Sequence, residues 1–149
     1  MDHFAIRDGK MFAEDVPMAR IAEEVGTPVY VYSRATLERH ARVFRDALSG
    51  LPSIHIAFAI KANPNLAVLR VLAREGFGGD IVSIGEMKRA LAAGMKASDI
   101  VFSGVGKTHA DLRAALEAGV GQFNIELEEE GVALAEIAQG LGKTATAVL

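Results

Sequence analysis

From Ser33 onward, the apolar positions of the chain switch repeatedly between two spacings. Leu37, Ala41, Phe44 and Leu48 recur at three to four residues, the period of one helix face. Ser33 is suited to cap that helix and Gly50 to end it. IHIAFAI at 54–60 then reads as a strand, and Asn65 through Glu75 as a helix stopped by Gly76. GDIVS, DIVFS, QFNIE and TATAVL continue as strands, alternating with helices near 84–93, 109–118 and 128–139. Consecutive strands begin roughly 20–24 residues apart, and the turns rhyme, LAAG at 91–94 with LEAG at 116–119. Such alternation predicts βα units around a parallel sheet. The asparagine–leucine ladder of leucine-rich repeats, which share this period, is missing.

Before Ser33 the pattern is different. Residues 3–14 read as a hairpin, with Asp8-Gly9 as the turn between FAIR and KMFA. Pro17 suits the first turn of a short helix, MARIAEEV, and Gly26 its end. TPVYVYS at 27–33 is expected to be a strand from its β-branched and aromatic content.

The strand at 54–60 argues for a barrel over an open sheet. Ile54, Ile56, Phe58 and Ile60 fall on one face; His55, Ala57, Ala59 and then Lys61 fall on the other. The bulky face suits packing under helices, and the alanine face leaves the room that the inside of a (β/α) barrel needs. Lys61 then stands at the C-terminal end of the strand, where such barrels build their active sites. The expected fold is therefore α/β, a partial (β/α)8 TIM-like barrel of about five βα units, since a complete one takes about 250 residues. The chain is divided into residues 1–33 (hairpin, short helix and lead-in strand) and 34–149, the incomplete barrel. Because TATAVL is an apolar strand at the end of the sequence, a longer parent protein is expected.

Composition narrows the function more than the fold. The 149 residues are 50% hydrophobic and 23% charged, enough for one core of moderate size. A net charge of −3 gives no electrostatic case for nucleic acid or an anionic membrane. MDHFAIRDGK lacks the layout of a signal peptide, and no apolar run is long enough to span a bilayer. The absence of cysteine excludes disulfides and thiolate chemistry and is compatible with a cytoplasmic location. His3, His40, His55 and His109 have no metal-ligand spacing, so no metal is expected.

Two lysines carry candidate chemistry. GVGKT at 104–108 looks like the end of a phosphate-binding loop. That loop needs a glycine five positions before its Gly-Lys pair, and Val101 stands there. G-x-G-x-x-G fails as well, with His109 in place of the last glycine. Lys61 has two readings: a solvated lysine at a strand end, or an amine partly buried at a barrel mouth, where the neutral form can attack a carbonyl.

AIKANPN at 59–65 resembles the segment around the cofactor-binding lysine of pyridoxal-phosphate enzymes with an alanine-racemase-like barrel. GGDIVSIGEMKRALAAG at 78–94, IVFSGVGKTHADLRAALEAGV at 100–120 and FNIELEEE at 123–130 are similar to successive units of the diaminopimelate decarboxylases, among the group IV decarboxylases. TPVYVYS resembles that family's lead-in to the barrel. Gly79 and Ile84 depart mildly from the pattern, which has alanine and glycine there.

The resemblance implies decarboxylation of meso-2,6-diaminopimelate to L-lysine, with pyridoxal 5'-phosphate as cofactor. Other implied readings are an ornithine- or arginine-type decarboxylase, an amino-acid racemase or a non-catalytic cofactor-binding barrel. By the same resemblance Lys61 would hold the cofactor, and Asp80 and Glu86 would pair with the lysine's freed ammonium. Glu86 also has a plainer reading, because Ser83-x-x-Glu86 is a capping box. The GVGKT segment becomes a strand-to-helix loop at the barrel mouth, with Thr108 available as a cap. A cytoplasmic homodimer is implied, with the N-terminal hairpin joining a C-terminal β-domain. The phosphate-binding segments and that β-domain would lie past residue 149, so the 149 residues alone are expected to be inactive.

Overall fold

The computed structural model describes residues 3–149, which fall into two compact units, one ending at Gly50 and the other spanning Leu51–Leu149. In the first, β1 (Phe4–Arg7) and β2 (Lys10–Ala13) pair antiparallel, Phe4 opposite Ala13 and Arg7 opposite Lys10. Asp8 and Gly9 both take positive φ, 49° and 73°, as the tight turn predicted between the strands requires. A short β3 (Val16–Pro17) pairs with β2, and α1 (Met18–Val25) follows directly, ending at Gly26.

α2 (Arg34–Ala47) is capped as expected: Ser33 Oγ accepts from Thr36 N–H at 3.0 Å. The Glu14 carboxylate accepts from the Ala35 N–H at 2.9 Å and from the Ser33 hydroxyl at 2.8 Å. These contacts bind α2 to the hairpin, so it packs in the first unit, one helix beyond the division drawn at residue 33. The strand expected over 27–33 does not form. The segment has no ladder partner, and Tyr30 is 89% exposed. β-branched and aromatic content marks residues that fit a sheet surface and does not create a strand without one.

The second unit is a parallel α/β layer. β4 (Ala57–Ala59) runs into a 3-10 turn, Ile60–Ala62, and then α3 (Leu66–Arg74). β5 (Gly78–Ile81), α4 (Ile84–Ala92), β6 (Ile100–Phe102), α5 (His109–Ala118), β7 (Gln122–Asn124), α6 (Glu128–Leu141) and β8 (Ala147–Val148) complete it. The five strands are parallel and lie side by side in chain order. This is the order in which a (β/α) barrel begins. β4 is shorter than the apolar run 54–60 because only its last residues find a ladder partner, in β5.

One face of the sheet packs under the helices. Ile81, Ile100, Phe102 and Phe123 are fully buried there, the two phenylalanine rings 6.2 Å apart. Met87 and Ala90 of α4, Leu112 and Ala115 of α5 and Leu134 of α6 are buried as well and complete the core of the layer. At the N-terminal edge two glycines permit close backbone approach. A Cβ on Gly78 would lie 1.8 Å from the Asp99 carbonyl oxygen, and one on Gly121 2.0 Å from that of Ser98.

Candidate functional site

The local sequence explains how Lys61 comes to the rim. Ile60 is fully buried on the helix side, where its Cδ1 would lie 3.3 Å from a Cβ on Gly79. The next residue, Lys61, is exposed in the turn that ends β4. Two asparagines then redirect the chain: Asn63 Oδ1 accepts from the Asn65 N–H at 3.1 Å, and Asn65 Oδ1 accepts from Ala67 N–H at 2.9 Å as the cap of α3. Arg89 of α4 donates to the Pro64 carbonyl at 3.3 Å and braces the turn from the neighbouring unit. The AIKANPN segment is thus a strand, a lysine on the rim and a self-capped turn. The partial burial anticipated for Lys61 is not supplied by these residues, because the small side chains of Ala57 and Ala59 leave the open face of the sheet uncovered.

Asp80 lies in the adjacent strand, in register with Ala59, two residues before Lys61. Its neighbour Gly79 faces the helices, against Met95 Sδ, Ile60 Cδ1 and Ala90 Cβ, so strand alternation turns Asp80 to the open face. There Oδ1 accepts a short hydrogen bond, 2.5 Å, from the Ser103 hydroxyl. Ser103 Oγ in turn accepts from Asn124 Nδ2 at 3.0 Å, and Asn124 Oδ1 from Gln122 Nε2 at 2.8 Å. A chain of polar groups thus crosses the open face at the ends of three strands. Gln122 stands two residues before Asn124 on the same strand. Ser103 and Asn124 escape a reading of the sequence because each is one polar residue at the edge of an apolar strand, roughly 20 residues from its partner in the neighbouring strand. Only the parallel register brings them together.

Glu86 is used locally. Its backbone N–H donates to Ser83 Oγ at 3.2 Å, and its Oε2 accepts from the Val82 N–H at 2.8 Å, one residue earlier than a capping box would direct it. It braces the β5–α4 turn while lying at the same edge of the sheet as Lys61. The reciprocal capping box occurs instead at α5, between Thr108 and Asp111.

The lysine of GVGKT turns inward. Lys107 Nζ donates to the carbonyls of Gly104 and Asn124, each at 2.7 Å, and to Glu130 Oε1 at 3.0 Å. Its side chain is 1% exposed and lies 5.7 Å from the Phe102 ring centroid. A lysine that commits its three donors to protein oxygens ties the β6–α5 loop to β7 and α6, the reverse of a phosphate-binding arrangement. At the opposite edge His55 Nε2 donates to the Asp99 carbonyl at 3.0 Å, a floor contact beside Gly78. His109 is exposed at the start of α5.

The rim therefore offers a primary amine next to a small-residue face and a hydrogen-bonded carboxyl. That donor set fits the aldehyde end of pyridoxal phosphate, which a lysine amine bonds covalently. Among the described residues no group of histidines and carboxylates is arranged to hold a metal ion, and no helix is long and apolar enough to cross a membrane.

Comparison with known proteins is consistent with that fit. The family described as pyridoxal-dependent decarboxylase, pyridoxal binding domain, matches residues 34–148. The chain is 56% identical over 142 residues to a diaminopimelate decarboxylase of Pseudomonas aeruginosa, covering 95% of the chain and 34% of the relative. It is 49% identical over 148 residues to one of Zymomonas mobilis, covering 98% and 35%. The crystal structure of a diaminopimelate decarboxylase from M. jannaschii in complex with L-lysine superposes with a TM-score of 0.88 at 33% identity, covering 99% of the chain and 36% of that structure. The chain spans about a third of the length of the curated relatives it matches.

Proposed function

The chain belongs to the pyridoxal-dependent decarboxylases, through their pyridoxal-binding domain, and from that premise we propose that the protein decarboxylates meso-2,6-diaminopimelate to L-lysine. The observation that carries this reading is the 56% identity to a diaminopimelate decarboxylase along 95% of the chain, with a lysine amine at the C-terminal edge of the parallel sheet.

Lys61 would hold the aldehyde of the cofactor through its side-chain amine. Bound pyridoxal phosphate supplies the sink for the electron pair left when carbon dioxide departs. Asp80, on the neighbouring strand and in register just below Lys61, is the carboxyl that pairs with the lysine once its amine is free. Glu86 is the second acid at that edge and holds the turn leading from Asp80 into α4. The alanine face of β4 leaves room for the flat ring. The phosphate and the far end of the diamino acid are bound by parts of the barrel outside these residues, in a cytoplasmic homodimer, and the 149 residues alone are inactive.

The test uses the full-length protein. Carbon dioxide release is measured from meso-diaminopimelate, ornithine, arginine and lysine, with racemisation followed in parallel. Release from meso-diaminopimelate is expected to exceed the others by at least about a hundredfold, as expected when buried polar groups recognise the substrate's far end. Lys61→Ala is expected to lose the visible absorbance of protein-bound cofactor. Racemisation without release, or a preference for ornithine, would overturn the assignment.

A further inference from the structure

The hydrogen-bonded chain across β5, β6 and β7 has a direction. An amide nitrogen can only donate, so Gln122 Nε2 supplies Asn124 Oδ1 and Asn124 Nδ2 supplies Ser103 Oγ. Ser103 has one hydroxyl proton, and with Asn124 Nδ2 donating to the serine oxygen that proton goes to Asp80 Oδ1. Turning the Asn124 amide over would set two nitrogen donors against each other at Gln122. It would also draw the serine proton toward Asn124, leaving Asp80 without a donor. The connected arrangement therefore has one polarity, with Asp80 as its terminal acceptor.

The backbone behind this chain is fixed from the helix side. Lys107 donates to the carbonyl of Gly104, the residue after Ser103, and to the carbonyl of Asn124 itself, while its charge is met by Glu130. Main-chain displacement at Gly104 or Asn124, which would carry the serine or asparagine out of the chain of bonds, disturbs a nearly fully buried ion pair. A bond to a charged or reacting group is worth more when its partner is held in place beforehand.

We propose that Ser103, backed by Asn124 and Gln122, is a positioning residue that holds Oδ1 of the Asp80 carboxyl on the β6 side of the open face and so leaves the other oxygen for the Lys61 amine on the β4 side. It acts through Asp80 and touches neither substrate nor cofactor. The proposal rests on the role given to Asp80 above. It adds a function for a serine that precedes a conspicuous loop and for a lysine in that loop that binds no phosphate.

The test is a double-mutant cycle in the full-length holoenzyme with Ser103→Ala, Asp80→Asn and the combination. Two readouts are used: kcat and KM for carbon dioxide release, and the Kd for pyridoxal phosphate titrated into apoprotein by visible absorbance. Ser103→Ala is expected to lower kcat about tenfold and weaken cofactor binding about threefold, with KM within about twofold, as for loss of one bond to a charged group. In the Asp80→Asn background the same change is expected to add less than about twofold. Ser103→Thr, which keeps the hydroxyl, should recover most of the loss, and Ser103→Val, its near-isostere without one, should not. The Thr–Val pair decides the matter if Ser103→Ala fails to fold. Full additivity in the Asp80→Asn background, or equal behaviour of Thr and Val, overturns the proposal. A wild-type protein that binds no cofactor or releases no carbon dioxide overturns the underlying functional reading instead.

Discussion

The Lys107 ammonium and the Glu130 carboxylate stand 3.0 Å apart with only 1% and 8% of their side chains exposed. Removing one partner strands the other charge away from water and also leaves the Gly104 and Asn124 carbonyls without their donor. Lys107→Met is expected to destabilise the fold by about 3 kcal/mol or more. Lys107→Met/Glu130→Leu should cost less than the sum of its single changes, because no lone charge remains. Guanidinium unfolding of the four proteins measures both.

A methyl group on Gly78 would overlap the Asp99 carbonyl, at 1.8 Å, and crowd His55 Nε2, at 2.6 Å. Backbone on one side and a bonded histidine on the other cannot both give way. Gly78→Ala is expected to cost about 3 kcal/mol or more. Gly140→Ala, with nothing within 4 Å of the new methyl and a position inside α6, should raise stability by about 0.5–1 kcal/mol. Thermal unfolding of the pair separates steric cost from propensity.

Glu14 introduces a pH dependence into the first unit. Its carboxyl is held below the usual value of 4.5 first by the Ala35 N–H and then by the Ser33 hydroxyl, with a smaller contribution from His3 and an opposing one from burial. Because the folded pKa is the lower one, the stabilisation is complete above the unfolded value and is lost as pH falls through the folded value. Glu14→Gln should therefore weaken the protein at pH 7 and make no difference well below pH 4 (an approximate bound set by ordinary carboxyl titration). Urea midpoints of wild type and variant, compared at several pH values, should converge on acidification.

Thr108 offers a milder contrast within the same loop. It closes an exposed capping box with Asp111, so Thr108→Ala is expected to cost about 1 kcal/mol, as helix caps do. The loss should be well below that of Lys107→Met, its immediate neighbour. Equal losses would mean that the loop gains its order from the cap and not from the buried lysine.

These contrasts mark what could be read from residues alone. Ser33 and Thr108 are short polar side chains ahead of apolar runs, and each caps the helix expected of it, because capping is decided within three residues. Asn65, read as the first residue of its helix, is that helix's cap. The βα alternation was equally local, down to helices at 84–92 and 109–118. TPVYVYS failed because a strand needs a neighbour that local sequence cannot guarantee. The inward turn of Lys107 is not legible in GVGKT, since two of its three acceptors lie 17 and 23 residues away. Asp80 and Lys61 were identifiable by resemblance, whereas Ser103 and Asn124 required knowledge of which rungs of adjacent strands coincide.

The side-by-side order of β4 through β8 also bears on how the molecule is made. Each strand joins the one synthesised just before it, so ring-closure entropy stays small at every addition. A chain leaving the ribosome could lay down one strand and its covering helix at a time, with every newcomer meeting a template already in place. Misassembly should therefore concentrate at whichever border is still waiting for its next strand, and translation pauses after 81, 102 or 124 would expose that border for longer.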